Sequence, residues 1–422
     1  MSLAVSSPLP PPLYAGSGRD GYEPGPREDA GDWARTAREL ADDLAADAAD
    51  RDRAGAPPHD EAARLREAGL LGLLTPPVAG LRGRGSGWRT AAAVVREIAA
   101  ADGSAGELLA RHHVLSWCPR LFGPGGEGDP ALEARSAREG RLWGGRFAPD
   151  PGDGVTATPA GKKYRLGGRL WCPSGVGVAD VLVVCARCAR TGETLVLRVD
   201  PRRPGVVTEP AAGRIGQRLT GAGTVGFDDV RVDARQVLGR VPGDEHLRSP
   251  FTALAPLAQR LMLTHVALGI AEGALAEARD ISRTGSGRPP VPDYGHGEAR
   301  WLSGADPYVL LAYGELVTAA RAAACVVDDA TEALARGVAA GPELDADERA
   351  GIAVLVTAAE AVTTDAVLRV TARVMELTDS APAAGCDRFW RDARVLTTRT
   401  TSAHGLRDIG DHYLHGSHPP LG

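Results

Sequence analysis

The sequence predicts an α+β multidomain protein built in three successive modules: a helical N-terminal domain, an all-β middle and a C-terminal four-helix bundle. Three observations carry this. From Asp29 to about Phe122 apolar residues recur at helical spacing; from about residue 140 to 240 short apolar runs of strand length are punctuated by Gly, Pro and Asp; from Pro250 leucines return every seven residues. No βα repeat is present, which argues against a doubly wound nucleotide fold.

At 422 residues the chain exceeds one small core. A net charge of −6, with 43% hydrophobic and 24% charged residues, gives no basic field to draw nucleic acid or an anionic membrane. Arginine supplies nearly all the cations, since the lysines are Lys162 and Lys163. Six scattered cysteines do not form a disulfide framework, and reduced thiols in a cytoplasmic protein are expected. The N-terminus lacks the charge-then-apolar pattern of a signal peptide. No uninterrupted apolar run reaches some 18 residues, so no membrane span is expected.

Residues 1–28, rich in Pro and Gly, read as a disordered or loosely docked arm. In the helical domain, 29–139, Trp33, Leu40, Leu44 and Ala48 mark a first helix. A second runs through EAARLREAGLLGLL to Pro76-Pro77, and a third, WRTAAAVVREIAAADG, ends at Gly103. A fourth opens on Ser104 as N-cap, with Glu107 completing a capping box. The β module occupies 140–245. In the bundle, 246–422, Leu254, Leu261, Leu268 and Leu275 mark a long helix. Ala-rich helices follow at about 306–337 and 345–378, and a last one begins near Asp387.

Local motifs decide little. Gly221-Ala222-Gly223 precedes a strand-like run rather than a helix, which leaves no helix N-terminus for a pyrophosphate. Cys185 and Cys188 lie three apart in a strand and point to opposite faces. His412, His415 and His418 sit beside Gly416 and Pro419-Pro420, as in a fraying tail rather than a metal site. His112 and His113 lie about 100° apart on a helix, so one can face a cleft while the other packs.

The long-range pattern is more telling. EAARLREAGLLGLLTP, REIAAADGSAGELLARHHVL, ATPAGKKYRLGGRLWCPSGVGVADVLVVCA, QRLTGAGTVGFDDVRV, ALGIAEGALAEARD, DPYVLLAYGEL and DRFWRDAR with LRDIGDHYL occur in order over residues 29–416. Together they resemble the flavin-dependent monooxygenases of the acyl-CoA dehydrogenase superfamily, nearest the dibenzothiophene monooxygenase-like group. The resemblance implies the acyl-CoA dehydrogenase fold, with a middle β-barrel, and usually a homotetramer. It also implies reduced FMN (or FAD) delivered by a separate flavin reductase, O2, and a small-molecule substrate.

Dehydrogenases of this superfamily need a carboxylate base. On this alignment its two usual positions fall at Ala383 and Gln259, neither of which takes a proton. Desaturation is therefore disfavoured. The resemblance carries four roles onto this sequence. His112 faces the flavin, Ser174 lies beside flavin N5, and Arg283 reaches a flavin phosphate, commonly across a subunit interface. Thr398, Thr400 and Thr401 approach flavin and substrate.

Two stretches depart from the family. Arg399 stands where relatives carry a histidine that handles the peroxide, and Trp143-Gly144-Gly145-Arg146 replaces an Asn/Ala-type turn. Arginine can stabilise an anion but does not donate a proton as histidine does; His404, five residues on, is a candidate substitute. Two other readings compete with the monooxygenase: a flavin oxidase or dehydrogenase with an unusual base, and a non-redox or scaffold member of the fold.

Overall fold

The computed structural model describes residues 27–75, 87–149, 154–242, 244, 247–284, 307–378, 385–398 and 402–420. The N-terminal domain contains helices α1 (Arg27–Ala54), α2 (His59–Glu67), α3 (Trp88–Ala101), α4 (Gly103–Ser116), α5 (Cys118–Phe122) and α6 (Pro130–Arg138). Helix α1 begins within the stretch assigned to the arm; residues 1–26 lie outside the described residues. The second sequence-predicted helix is shorter than expected. Gly69 takes a left-handed φ of 75°, which ends the α-helix and leaves Leu70–Gly72 as a single 3-10 turn.

The start of α4 also differs. Its N-cap is Asp102, whose carboxylate accepts the Ala105 N–H at 3.0 Å. Ser104 is therefore inside the helix, and its hydroxyl accepts the Leu219 N–H instead. Glu107 is consequently no capping-box residue, and its side chain is free for another task.

The middle module has strands β1 (Trp143–Gly145), β2 (Thr156–Ala160), β3 (Lys163–Cys172), β4 (Val181–Cys188), β5 (Thr194–Val199), β6 (Val206–Pro210), β7 (Gly223–Asp233) and β8 (Val237–Val241). They form one sheet in the order β6-β7-β3-β2-β4-β5-β8, with β1 joined in parallel to β4. The pairings are mostly antiparallel, and among the described residues none joins β6 to β8. Cys185 and Cys188, at opposite pleats of β4, are both buried and neither forms a disulfide.

The C-terminal module comprises α7 (Leu254–Thr284), α8 (Pro307–Ala340), α9 (Ala346–Leu377), α10 (Asp387–Thr397) and α11 (Ser402–His415). Leu254, Leu261 and Leu268 are buried and Leu275 packs on the same core, as the heptad predicts. That core is continuous with the N-terminal helices. At Gly273 an added Cβ would lie 1.9 Å from the Ala100 carbonyl oxygen, so the glycine lets α7 touch α3. By length and composition alone α7, α8 and α9 are apolar enough to cross a bilayer. Ala and Val spread around them produce this without the uninterrupted run sought in the sequence, and in the fold all three pack together.

The predicted fraying tail is instead α11, which packs on α9. The three histidines go separate ways: His412 meets the Ser417 carbonyl, His415 meets Asp411, and His418, beyond the helix, meets Asp347. No metal-capable cluster occurs among the described residues.

Candidate active site

A cleft of about 450 Å³ opens where the three modules meet. Helix α4 contributes Glu107 and Arg111, β1 and its exit contribute Gly145 and Arg146, and the end of β3 contributes Trp171 and Pro173. The bundle closes it with Gln259 and Leu263 of α7 and with Leu396 and Thr398 at the end of α10. Leu263 and Leu396 also line a second cavity of about 420 Å³ between α7, α9 and α11, so the two spaces adjoin.

Glu107 and Arg111 are one turn apart and form an ion pair at 2.6 Å, with Glu107 buried. With its amide oriented to satisfy both neighbours, Gln217 donates from its side chain to Glu107 Oε2 (3.0 Å) and to the Gly103 carbonyl (3.2 Å). Gln217 holds an unusual left-handed φ of 50°, and its N–H donates to Asp392 Oδ1 at 2.5 Å. Asp392 is buried on α10, and burial pushes its carboxyl up to about 8, with Asp102 and Asp52 adding to the rise. On the same helix Arg391 pairs with Asp52 of α1 at 2.5 Å, and Arg388 pairs with Glu277 of α7 at 2.8 Å. The DRFWRDAR segment thus clamps the N-terminal domain, the Gln217 loop and the bundle around the cleft.

Ser174 is fully buried beside this wall. Its carbonyl accepts the Gly145 N–H at 3.2 Å, while its hydroxyl has no partner. Gly144 makes this approach possible, because a Cβ there would stand 2.9 Å from Gly175 Cα. Gln259, the position of one absent base, presents an equally unpartnered buried Nε2. An unpartnered buried polar atom on the cleft wall at Gln259, and a second at Ser174 next to the lining residue Pro173, beside a cleft edged by Trp171, fit a planar, hydrogen-bonding ring such as a flavin. Thr398 lies on the cleft wall with its hydroxyl donated to the Arg394 carbonyl.

His112 is placed differently from its sequence-based role. The ring is buried and does not line the cleft. Nε2 bonds the Leu71 carbonyl at 2.8 Å, and Nδ1 accepts the Trp143 N–H at 3.0 Å. These contacts fix a neutral tautomer, and burial brings its pKa down to about 4. His112 is thus a strut that holds β1 against the helical domain. Glu107 and Arg111, five residues and one residue before His112 on the same helix, occupy the cleft face. Sequence reasoning missed both, although their i,i+4 spacing was a signal.

Arg283 lies near the C-terminal end of α7, exposed. Twenty residues of helix, about 30 Å at 1.5 Å per residue, separate it from Leu263 in the cleft. Within one chain it does not reach this site. His404 lines the second cavity rather than the cleft, beside Arg260, which pairs with Glu360. Ala383, Arg399, Thr400 and Thr401 lie outside the described residues.

The profile described as acyl-CoA dehydrogenase, N-terminal domain, matches residues 27–124. Dibenzothiophene monooxygenase of Rhodococcus qingshengii is 33% identical over 411 residues, covering 93% of this chain and 96% of the relative. A probable FMNH2-dependent monooxygenase of Pseudomonas putida is 32% identical over 91% of this chain and 95% of its own. Among solved structures, methanesulfinate monooxygenase from Pseudomonas fluorescens superposes with a TM-score of 0.83 at 32% identity, covering 92% of this chain and 98% of that one. Dibenzothiophene monooxygenase from Paenibacillus sp. A11-2, with FMN and indole bound, gives 0.82 at 30% identity over 93% and 99%. The acyl-CoA dehydrogenase fold is thereby established. The chain belongs to the flavin-dependent monooxygenases of the acyl-CoA dehydrogenase superfamily, the dibenzothiophene monooxygenase-like group.

Proposed function

We propose that this chain is the oxygenase component of a two-component monooxygenase that uses reduced FMN and O2 to oxidise a small, heteroatom-bearing organic molecule. The observation that carries this is the cleft itself: Gln259 on its wall, and Ser174 next to its lining residue Pro173, offer unpartnered buried polar atoms in a chain whose relatives include FMN-dependent enzymes. Reduced flavin supplies the electrons that activate O2. The protein's part is to bind, orient and exclude water. Ser174 and Thr398, with Thr400 and Thr401 on the following segment, would hold the ring. Leu263 and Leu396, which line both cavities, give their shared boundary an apolar surface.

Glu107, Arg111 and Gln217 form a fixed polar wall: Arg111 Nε donates to Glu107 Oε1, and the Gln217 amide donates to Glu107 Oε2. Arg111, Arg146 and Arg214 on the cleft wall favour a polar or electron-rich substrate. The relatives' names give sulfur compounds, dibenzothiophene and methanesulfinate. The desaturase reading gains little: Glu107 is a carboxylate in the cleft, but both its oxygens are engaged.

A separate reductase would deliver the flavin, as the FMNH2 dependence of the relatives suggests. A homo-oligomer, with four copies as the resemblance implies, is supported by α8, where Tyr308, Leu310, Leu311 and Val317 are exposed. In such an assembly Arg283 would serve the flavin phosphate of a neighbouring copy, where a guanidinium suits a phosphate's geometry. Six cysteines in the thiol form, five of them buried, favour a cytoplasmic setting.

The test is an anaerobic titration with reduced FMN, followed by admission of ¹⁸O2 with dibenzothiophene, indole or methanesulfinate as probe. Saturable binding of reduced FMN and one labelled oxygen atom in the product are expected. No binding of reduced flavin overturns the proposal; reduction of bound oxidised FMN by a probe without O2 would favour the dehydrogenase reading instead.

A further inference from the structure

We infer that the protein carries an anion-binding site, suited to a diphosphate or another multivalent oxyanion, in a cavity separate from the active-site cleft. This cavity, of about 740 Å³, lies where the connection between α6 and β1 meets the end of β5, the start of β3 and the turn after β7. It shares no lining residue with the cleft. The two open at opposite ends of the same strands. Arg141 precedes β1 and Gly145 ends it, while Lys162 precedes β3 and Trp171 lies near its end.

Seven basic side chains line the cavity against three aspartates. The aspartates are already committed. Asp180 pairs with Arg66 and accepts the Leu142 N–H; Asp200 pairs with Arg202; Asp233 caps the 3-10 turn Ala234–Gln236 and lies 3.7 Å from Lys163. Arg135 and Arg141 share one carboxylate, Glu139. Positive charge is therefore in excess locally, on a chain whose net charge is −6.

Arg198 is the decisive residue. Its Nε is buried without a hydrogen-bond partner, and among the described residues no carboxylate forms an ion pair with it. Burial holds its guanidinium below the usual range; the nearby Asp129 carboxylate, which forms no ion pair with it, opposes this, and Arg141 and Arg135 add to the lowering. A half-buried cation facing other cations is destabilising unless an anion joins them. Arginine forks grouped this way match the paired oxygens of a phosphate or diphosphate. The ligand class is thus a phosphate- or diphosphate-bearing small molecule.

The experiment is calorimetric titration of the full chain with inorganic pyrophosphate, repeated with inorganic phosphate and sulfate at matched ionic strength. One saturable site is expected, tightest for pyrophosphate, and weakened about tenfold by Arg198→Gln or Arg203→Gln, the loss of one charged hydrogen bond. FMN affinity should be unchanged in both variants. Equal binding by the variants, or binding that tracks ionic strength alone, overturns the inference. So does displacement of pyrophosphate by FMN, because the cavity would then belong to the flavin site. Should Arg198→Gln fail to fold, Arg203→Gln and Lys162→Gln, at less buried positions, give the same reading.

Discussion

Gln217 is bound to Glu107: its side-chain amide donates to Glu107 Oε2 at 3.0 Å while its own N–H is held by Asp392. A residue in a strained left-handed conformation thereby connects the cleft wall on α4 to the clamp helix α10. Gln217→Gly relieves the backbone strain and removes the amide. Its thermal stability should stay within about 1 kcal/mol of the parent. Product formation should fall at least about tenfold, as Glu107 and Arg111 lose their fixed placement. A variant with parental turnover would show that this wall has no part in the reaction.

Asp392 predicts a pH effect of definite sign. Its folded-state carboxyl is raised from 3.8 to about 8 by burial. Its contribution to stability is therefore present below pH 3.8 and lost as pH rises toward 8, at up to about 1.4 kcal/mol per pH unit. Asp392→Asn keeps the acceptor for the Gln217 N–H and removes the titration. The variant should melt higher than the parent at pH 8.5, and the gap should close toward pH 4. Identical melting curves at pH 8.5 would mean that Asp392 is not a buried neutral acid.

The buried histidines act in the opposite direction. Burial lowers His112 to about 4 and His265 to about 3, and holds His113 well below its usual value. Their neutral forms stabilise the fold above pH 6.5, and that stability is lost as pH falls toward 4. In the Asp392→Asn background, where the opposing acid is absent, the acid limb of the melting-temperature profile should be steeper than in the parent. Parallel profiles would overturn the assignment.

His112→Ala should cost about 2–4 kcal/mol, from a cavity and from the Trp143 N–H and Leu71 carbonyl left unpaired. Denaturant unfolding measures this. Flavin affinity per folded molecule should change little, because the ring does not line the cleft. Tight folding with abolished turnover would return His112 to a catalytic role.

Ser174→Ala should weaken FMN binding about three- to tenfold and shift the bound flavin's absorption, with unfolding unaffected. The hydroxyl has no protein partner to lose. Arg283→Ala should lower flavin affinity in the assembled oligomer alone, which a titration across protein concentration resolves.

Much of the architecture was legible because its signals are local. Heptad leucines on α7 have one way to be buried, and the strand-length runs between Gly and Pro pair into a sheet. The order of the strands in that sheet was not legible, because pairings such as β2 with β4 join segments that only meet in space. The site was legible only as a set of segments: Thr398 and Gln259, the latter singled out only as the position of an absent base, line the cleft, and Ser174 lies next to its lining residue Pro173.

Which face of α4 meets the cleft was decided by tertiary structure alone. All of α4 except Arg111 and Ser116 is buried, so no amphipathic stripe marks a functional side. A helix turns 100° per residue, and placing the N-cap at Ser104 rather than Asp102 assigned Glu107 to capping. The sequence by itself determined three modules, their order and the family they belong to. Only packing decided that Glu107 and Arg111 face the cleft, that His112 braces a strand, and that basic residues distant in sequence from one another surround Arg198. Each of those depends on contacts between segments that no local pattern encodes.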